Sequence, residues 1–452
     1  MSKSAENKNK KLEITAYGSE GQGIGRLDGM AVFVPGALVG ETVTVSIEKT
    51  TASYAVASLI DVISSSTQRK EPPCPYFAEC GGCSLMHMKY EHQLEFKRQR
   101  VKDAFERIGG FRDIEVLPCI GSNDTLRYRN KAVFSFAGSE GRVRFGCIAE
   151  GSHRVIPVSD CLIQSEVSVK AAEAVCDWAN RCKIPVYNEK TGRGELRHLM
   201  LRTASSGETM AVVITSDRLR FENELVSALR AAVPGIASVI HNINPARTNL
   251  IMGRKNRVIF GAETITEYID ELSFSVGAGS FLQVNPSQTR RMYAEAINGL
   301  MLSKEDEAVD LYCGIGTISL LMARQAGSVI GVEYVASAIE DAKRNAAQNA
   351  IENAEFICGT AETVFPKIVK SGRKITKLLL DPPRKGAMRE ALDAITQCGA
   401  QRIAYISCNP ATLARDCRIL ADAGYRIEKV QPFDMFAQSF HVECVTIMTK
   451  SN

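Results

Sequence analysis

No stretch of this 452-residue sequence strings together the roughly eighteen apolar residues that a membrane helix needs. The opening, Met1 to Lys11, is polar and lysine-rich and lacks the apolar segment of a secretion signal, so a cytoplasmic protein without membrane contact is expected. Charge of one sign is scarce too: 55 Lys and Arg against 51 Asp and Glu leave +4, which neither demands nor excludes a polyanionic partner. Cysteine is not scarce. Fourteen of them, spread along a chain with no export signal, argue for reduced thiols, a metal site or catalysis rather than a disulfide framework. The 45% hydrophobic and 23% charged content is that of a globular protein, and the length supports two or three cores.

The chemistry gathers around Ala404-Tyr-Ile-Ser-Cys-Asn-Pro410. The apolar run Ile403 to Ile406 reads as a strand, and Asn409-Pro410 ends it because proline offers no ladder donor. Cys408 therefore sits at a strand end, where a thiolate facing a cleft is the strongest nucleophile available near neutral pH. A single cysteine more often packs than reacts. Its company shifts the balance, because Asp381-Pro-Pro-Arg384 ends another apolar run upstream and His441-Val-Glu443 opens a third downstream.

From Leu12 to Ile63, five short β-prone runs alternate with glycines, as in a small barrel of the OB or SH3 type. Such barrels often bind nucleic acid, although a fold alone assigns no function. A flexible basic tail is expected before it and a linker after it, from Ser64 to Pro73. Next, Cys74-x5-Cys80-x2-Cys83 sets three thiols close together with two glycines to turn the backbone, which points to a metal knuckle. Cys161 is the expected fourth thiol, ahead of Cys119 and Cys147. The spacing leaves zinc and an iron–sulfur cluster open.

His87 to Gly109 has a helical pattern with Leu94, Val101, Ala104 and Phe105 on one side, and the surrounding Lys97, Arg98, Arg100 and Lys102 read as a solvated face. In Arg127-Tyr-Arg-Asn-Lys131, bases alternate with an aromatic that could stack on a nucleobase. A second basic stretch, Gly192 to Arg202, leads into a strand. Ala132 to about Phe260 reads as strands with two helices, Ser165–Cys182 and Arg220–Val233, forming a central α+β domain whose edge faces the substrate.

Ala308 to Met322 reads as strand, glycine turn and apolar helix, and the next strand, Ser328 to Glu333, ends in an acid 23 residues after Asp310. That is the layout of a doubly wound sheet: Gly314 lets a ligand approach the backbone, and Glu333 can grip ribose hydroxyls. A dinucleotide fingerprint would want glycine at 319, where serine stands, so S-adenosylmethionine is favoured over a nicotinamide cofactor. About seven strands are expected, with Gly314, Glu333, Asp381 and Cys408 beyond their carboxyl ends, where such sheets bind ligands.

Taken together, the Cys74-Cys80-Cys83 knuckle, Phe281-Leu-Gln283-Val-Asn285, Asp310-Leu-Tyr-Cys-Gly314, Asp381-Pro-Pro-Arg-Lys-Gly386, Ile406-Ser-Cys408-Asn-Pro410 and His441-Val-Glu443 resemble the RNA uracil-5 methyltransferase family. Within it, the likeness is to the 23S ribosomal RNA enzymes with an N-terminal TRAM barrel, and it runs from about residue 12 to residue 449. The resemblance implies a TRAM-like RNA-binding barrel over 10–64, a central α+β domain with a cysteine cluster over 74–268, and a Rossmann-like S-adenosylmethionine-dependent methyltransferase domain over 269–452. It implies a [4Fe–4S] cluster on Cys74, Cys80, Cys83 and Cys161. Gln283, Tyr312, Thr317, Glu333 and Asp381 would line the S-adenosylmethionine site beside the Gly314 turn, with Cys408 as nucleophile and Glu443 as base. Relatives often carry Asn at the position of Thr317, and Pro and Thr at those of Ala437 and Ser439.

The expected activity is methylation of carbon 5 of a uridine in 23S ribosomal RNA, by a monomer with no obligate protein partner. The alternatives are a transfer RNA uracil-5 methyltransferase, an amino-group methyltransferase, and a non-catalytic zinc-knuckle RNA-binding protein.

Overall fold

The computed structural model describes residues 9–139 and 142–451. The tail expected before Leu12 lies largely outside the described residues, and its end, Lys10-Lys11, already belongs to the first strand. Strands β1 (Lys10–Tyr17), β2 (Gly23–Leu27), β3 (Met30–Val34), β4 (Thr42–Thr50) and β5 (Tyr54–Ser64) close into a barrel in the order β1-β2-β3-β5-β4. Period-two alternation fills it with Leu12, Ile14, Val32, Val34, Val43 and Val45. Where β1 crosses β2, a Cβ at Gly25 would stand 2.4 Å from the Glu13 carbonyl oxygen, so only glycine fits. The expected linker is tied down: Arg69 donates to both oxygens of the buried Glu41 carboxylate, at 2.6 and 2.7 Å.

Helix α1 (Tyr90–Arg107) falls in the stretch assigned by sequence to the central domain, yet it packs elsewhere. Its Val101, Ala104 and Phe105 share a core with Leu413, Leu420 and Val430 of the C-terminal domain. The central domain is built on β6 (Lys131–Ser139), β7 (Arg142–Ile148), β8 (Val155–Pro157), β9 (Leu196–Thr203), β10 (Thr209–Thr215), β11 (Ile236–Ile243) and β12 (Lys255–Gly261). They form one sheet in the order β12-β11-β10-β9-β6-β7-β8, against which α2 (Glu166–Arg181) and α3 (Glu222–Ala232) pack, close to the expected helices. Ser165 caps α2 by accepting from the Ser168 amide.

A hairpin, β13 (Thr264–Ile269) and β14 (Leu272–Gly277), leads to α4 (Pro286–Leu300). The C-terminal domain then alternates strand and helix: β15 (Glu307–Leu311), α5 (Thr317–Ala323), β16 (Ser328–Glu333), α6 (Ala336–Gln348), β17 (Ala354–Cys358), α7 (Ala361–Lys370), β18 (Lys377–Leu380), α8 (Arg389–Cys398), β19 (Arg402–Ser407) and α9 (Pro410–Asp422). It ends in β20 (Tyr425–Phe433) and β21 (Glu443–Lys450). The sheet order is β17-β16-β15-β18-β19-β21-β20, parallel except for β21, which runs against both its neighbours. Helices α4, α5 and α6 cover one face and α1, α7, α8 and α9 the other, the doubly wound arrangement expected. Its strand order reverses between β15 and β18, which opens a crevice at their carboxyl ends.

Candidate active site

Strand β19 stops at Ser407, as the sequence predicts: the Asn409 side chain accepts from the Ala411 amide at 3.1 Å and Pro410 opens α9. Cys408 is left half-buried just beyond the carboxyl end of β19. Ser407 pairs with Cys444 of β21, so the next step of the antiparallel register sets Cys408 beside Glu443. On the other side, β18 pairs with β19 at Leu380 and Tyr405, and Asp381 follows directly. The thiol and two carboxyls therefore share one end of the sheet.

Burial dominates their electrostatics. It pushes the Cys408 thiol up to about 11, with Glu443 and Asp381 adding to the rise and Arg384 opposing it. Glu443, 3% exposed, is held well above the usual carboxyl range by burial and then by Asp381, again against Arg384. Asp381 itself is pushed up to about 7 by burial. Arg384 thus supplies the local positive charge. Its carbonyl accepts from Asn409 Nδ2 at 2.9 Å, and its guanidinium lies 3.5 Å from His441 Nε2.

The neighbouring strand ends carry the other expected residues. Glu333 closes β16, and its carboxylate accepts from the amides of Gly314, at 3.3 Å, and Val335, at 2.9 Å. Tyr312, at φ 70°, and Gly314 and Gly316, at 55° and 82°, bend the β15–α5 turn through left-handed backbone. Serine at 319 has its own explanation: its hydroxyl donates to Asp310 Oδ2 at 2.6 Å, partly offsetting the burial that pushes Asp310 up to about 7. Thr317 is buried at the start of α5, near Tyr293 of α4, and its side chain opposes the rise that burial imposes on the Tyr293 hydroxyl. Gln283 is buried off the strand ends, in the segment leading into α4, where Asn130 Nδ2 holds its carbonyl at 3.1 Å.

Sequence reading assigned no role to Tyr293 or Arg384. Tyr293 lies two helical turns beyond Pro286, and its fully buried hydroxyl faces Asp381, Asp310 and Glu443. Arg384 stood in the quoted Asp-Pro-Pro-Arg motif, which was the available signal. A co-substrate with positive charge fits this pocket, because Asp310 Oδ1 and Glu443 Oε2 are buried acceptors without a partner. S-adenosylmethionine carries both an ammonium and a sulfonium.

The knuckle thiols also come together. Cys83 lies within electrostatic reach of Cys161, Cys80 and Cys74, and all four are half-buried. Cys147, ranked behind Cys161 by spacing, is there as well, a neighbour of both Cys80 and Cys161. Its thiol lowers Cys80 to about 6 and Cys161 to about 7. Cys119 is elsewhere, near Lys97 and Asp434. Among the described residues, no three His, Cys, Asp or Glu side chains close around a point as one metal ion requires. Thiolates are the donors that an iron–sulfur cluster takes, and the four thiols are neighbours without closing on a single point.

Two basic stretches need correction. Tyr128 is 8% exposed and donates to the Ala437 carbonyl at 3.1 Å, so its ring packs inside and has no face for a base. Arg127 is spent on Asp160 and on the carbonyls of Cys161 and Gln164. In the second stretch, Arg197 and Arg202 are buried and donate to the carbonyls of Asn244 and Ala246 and of Ser280. Arg197 and Arg202 thus solvate irregular backbone inside the protein, and Arg127 is held by a carboxylate.

The family described as tRNA (Uracil-5-)-methyltransferase matches residues 89–451. The chain belongs to this family. The TRAM domain matches residues 3–60, in agreement with the closed barrel. A protein of Caldanaerobacter subterraneus subsp. tengcongensis described as an uncharacterized RNA methyltransferase is 45% identical over 442 residues, covering 97% of each chain. One of Clostridium tetani with the same description is 41% identical over 440 residues, 97% of this chain and 95% of that one. The crystal structure of Pyrococcus abyssi tRNA (uracil-54, C5)-methyltransferase in complex with S-adenosyl-L-homocysteine superposes with a TM-score of 0.79 at 26% identity, over 97% of this chain and 100% of that one. The protein is thus an S-adenosylmethionine-dependent RNA uracil-5 methyltransferase by family. Among the described residues no helix is long and apolar enough to cross a membrane.

Proposed function

We propose that this methyltransferase modifies carbon 5 of a uridine in 23S ribosomal RNA through a covalent bond between Cys408 and carbon 6. The observation that carries this reading is the cross-strand placement of Cys408 beside Glu443, with Asp381 on the adjoining strand. Carbon 5 of uracil is too electron-poor to attack a sulfonium. Addition of the Cys408 thiolate to carbon 6 makes the ring an enolate with a nucleophilic carbon 5. Arg384 is the group that favours the thiolate. S-adenosylmethionine, when bound, supplies the methyl group. Gln283, Tyr312, Gly314, Thr317, Glu333 and Asp381 would form its site, with Gln283, Glu333 and Asp381 positioning the methyl against carbon 5. Carbon 5 then bears both a methyl and a proton. The Glu443 carboxylate takes the proton, the electron pair closes the carbon 5–carbon 6 double bond, and the thiolate leaves.

A stacked base cannot undergo this chemistry, so the uridine is flipped out while the barrel holds the strand. Cys74, Cys80, Cys83 and Cys161 would hold a [4Fe–4S] cluster, for which the mechanism has no redox task. The protein works as a cytoplasmic monomer in this reading. The 23S assignment rests on the motif set shared with barrel-bearing ribosomal enzymes. The full-length likeness to the Pyrococcus abyssi enzyme favours a second reading, transfer RNA. Incubation of the purified protein and S-adenosylmethionine with 23S and transfer RNA transcripts, followed by nuclease and mass mapping, separates them. Methyl on carbon 5 of a 23S uridine is expected; methyl confined to transfer RNA, or found on an exocyclic nitrogen, overturns the assignment.

A further inference from the structure

The loop 434–442 joins β20 to β21 and delivers Glu443 to the first position of β21, and most of it is buried. Buried irregular backbone needs partners for its amides and carbonyls. One face of α1 supplies them. Tyr90, Gln93, Lys97 and Arg100 recur at spacings of three, four and three, which puts them in one stripe along the helix. Each touches the loop. Tyr90 Oη donates to Asp434 Oδ2 at 2.7 Å, and Lys97 Nζ donates to Asp434 Oδ1 at 2.5 Å and to the Phe436 carbonyl at 3.1 Å. Arg100 donates to the Phe440 carbonyl at 3.0 Å.

Gln93 is the joint between three segments. Its Nε2 donates to the carbonyls of Leu85 and Met88 at 3.0 and 2.9 Å and to Gln438 Oε1 at 3.1 Å, while its Oε1 accepts from the Gln438 amide at 3.2 Å. Gln438 stands at φ 70°, a backbone conformation that a non-glycine residue keeps only when its surroundings hold it. The amides of Ser84 and Leu85, next to Cys83, both donate to the Gln438 carbonyl at 3.0 Å.

We propose that Gln93 and Lys97 are positioning residues for the proton-abstraction step: through Gln438 and Asp434 they fix the loop that aims Glu443 at carbon 5. The proposal rests on the reading of Glu443 as base. Gln93 and Lys97 make their hydrogen bonds to the segment 85–88 and to the loop itself, with none to Cys408 or to the β15–α5 turn, so the step most exposed to their loss is the one Glu443 performs. What fails is the last step, in which the carbon 5 proton passes to Glu443 and the thiolate is expelled. A displacement of about 1 Å at a reacting group costs on the order of a hundredfold in rate.

The test uses Gln93→Leu and, because a lone buried charge can prevent folding, the neutral pair Lys97→Met with Asp434→Asn. Each is incubated with S-adenosylmethionine and whichever transcript, 23S or transfer RNA, the wild-type protein methylates, carrying 5-tritiated uridine, with Glu443→Gln as control. The variants are expected to form protein–RNA adduct, stable on a denaturing gel, to at least the wild-type level and to release tritium about a hundredfold more slowly. Adduct formation and tritium release falling together, or both staying at wild-type values while Glu443→Gln traps adduct, overturns the positioning role. Failure of Glu443→Gln itself to accumulate adduct overturns instead the reading of Glu443, and the positioning role with it.

Discussion

Cys408 and Glu443 are cross-strand neighbours, one register step beyond the Ser407–Cys444 pair, at the end of the sheet where β19 runs out. Burial and then their proximity raise the thiol, and with Asp381 they make a buried acidic site in which Arg384 opposes the rise.

That balance predicts a pH dependence of ligand binding. Asp310 and Asp381, both pushed up to about 7 by burial, hold protons in the free protein at pH 6. A cation in the pocket favours their ionised forms, so binding of S-adenosylmethionine expels protons and its affinity rises as pH climbs towards about 7, by up to about tenfold per pH unit for each linked proton, and levels off above it. S-adenosylhomocysteine, which lacks the sulfonium charge, should show a shallower rise. Titration calorimetry in buffers of different ionisation enthalpy measures both.

Ser319→Ala removes the hydrogen bond that Asp310 receives in the core. The carboxyl is then left unsatisfied, and a stability loss of about 1–3 kcal/mol is expected in denaturant unfolding. A neutral result would mean that the Asp310 carboxyl has another partner.

Tyr128→Phe tests the corrected role of the basic stretch. Loss of the bond to Ala437 should lower stability by about 1 kcal/mol and leave both RNA affinity and its salt dependence unchanged. A base-stacking tyrosine would instead leave stability alone and weaken binding.

The thiol site gives a fourth prediction. If Cys74, Cys80, Cys83 and Cys161 hold a cluster, protein purified without oxygen contains iron and acid-labile sulfide, Cys161→Ser loses them, and Cys147→Ser retains them. Zinc in place of iron would contradict the cluster, and loss of iron in Cys147→Ser would contradict this choice of ligands.

Much of the fold was legible because its signals are local. Alternation and glycine turns marked the five barrel strands, and each motif at a strand end announced itself through the residues that stop the strand, as Asn409-Pro410 does for Cys408. What escaped depends on partners far along the chain. The bases of α1 looked like a solvated face, yet Lys97 is fully buried against Asp434 and Arg100 reaches Phe440; Tyr90 finds its acceptor 344 residues away. Cys147 belongs to no spacing motif and meets Cys80 because β7 runs beside the knuckle through the Cys80–Ala149 bridge. Ser319 was read as a missing glycine, and only its contact with Asp310 shows why serine stands there.

The most direct measurement is a denaturing gel of Glu443→Gln and Cys408→Ala after incubation with S-adenosylmethionine and radiolabelled RNA. Glu443→Gln should hold the RNA covalently, because the adduct forms and cannot collapse, whereas Cys408→Ala should show neither adduct nor methylated product. A Cys408→Ala protein that still methylates carbon 5 would contradict the account.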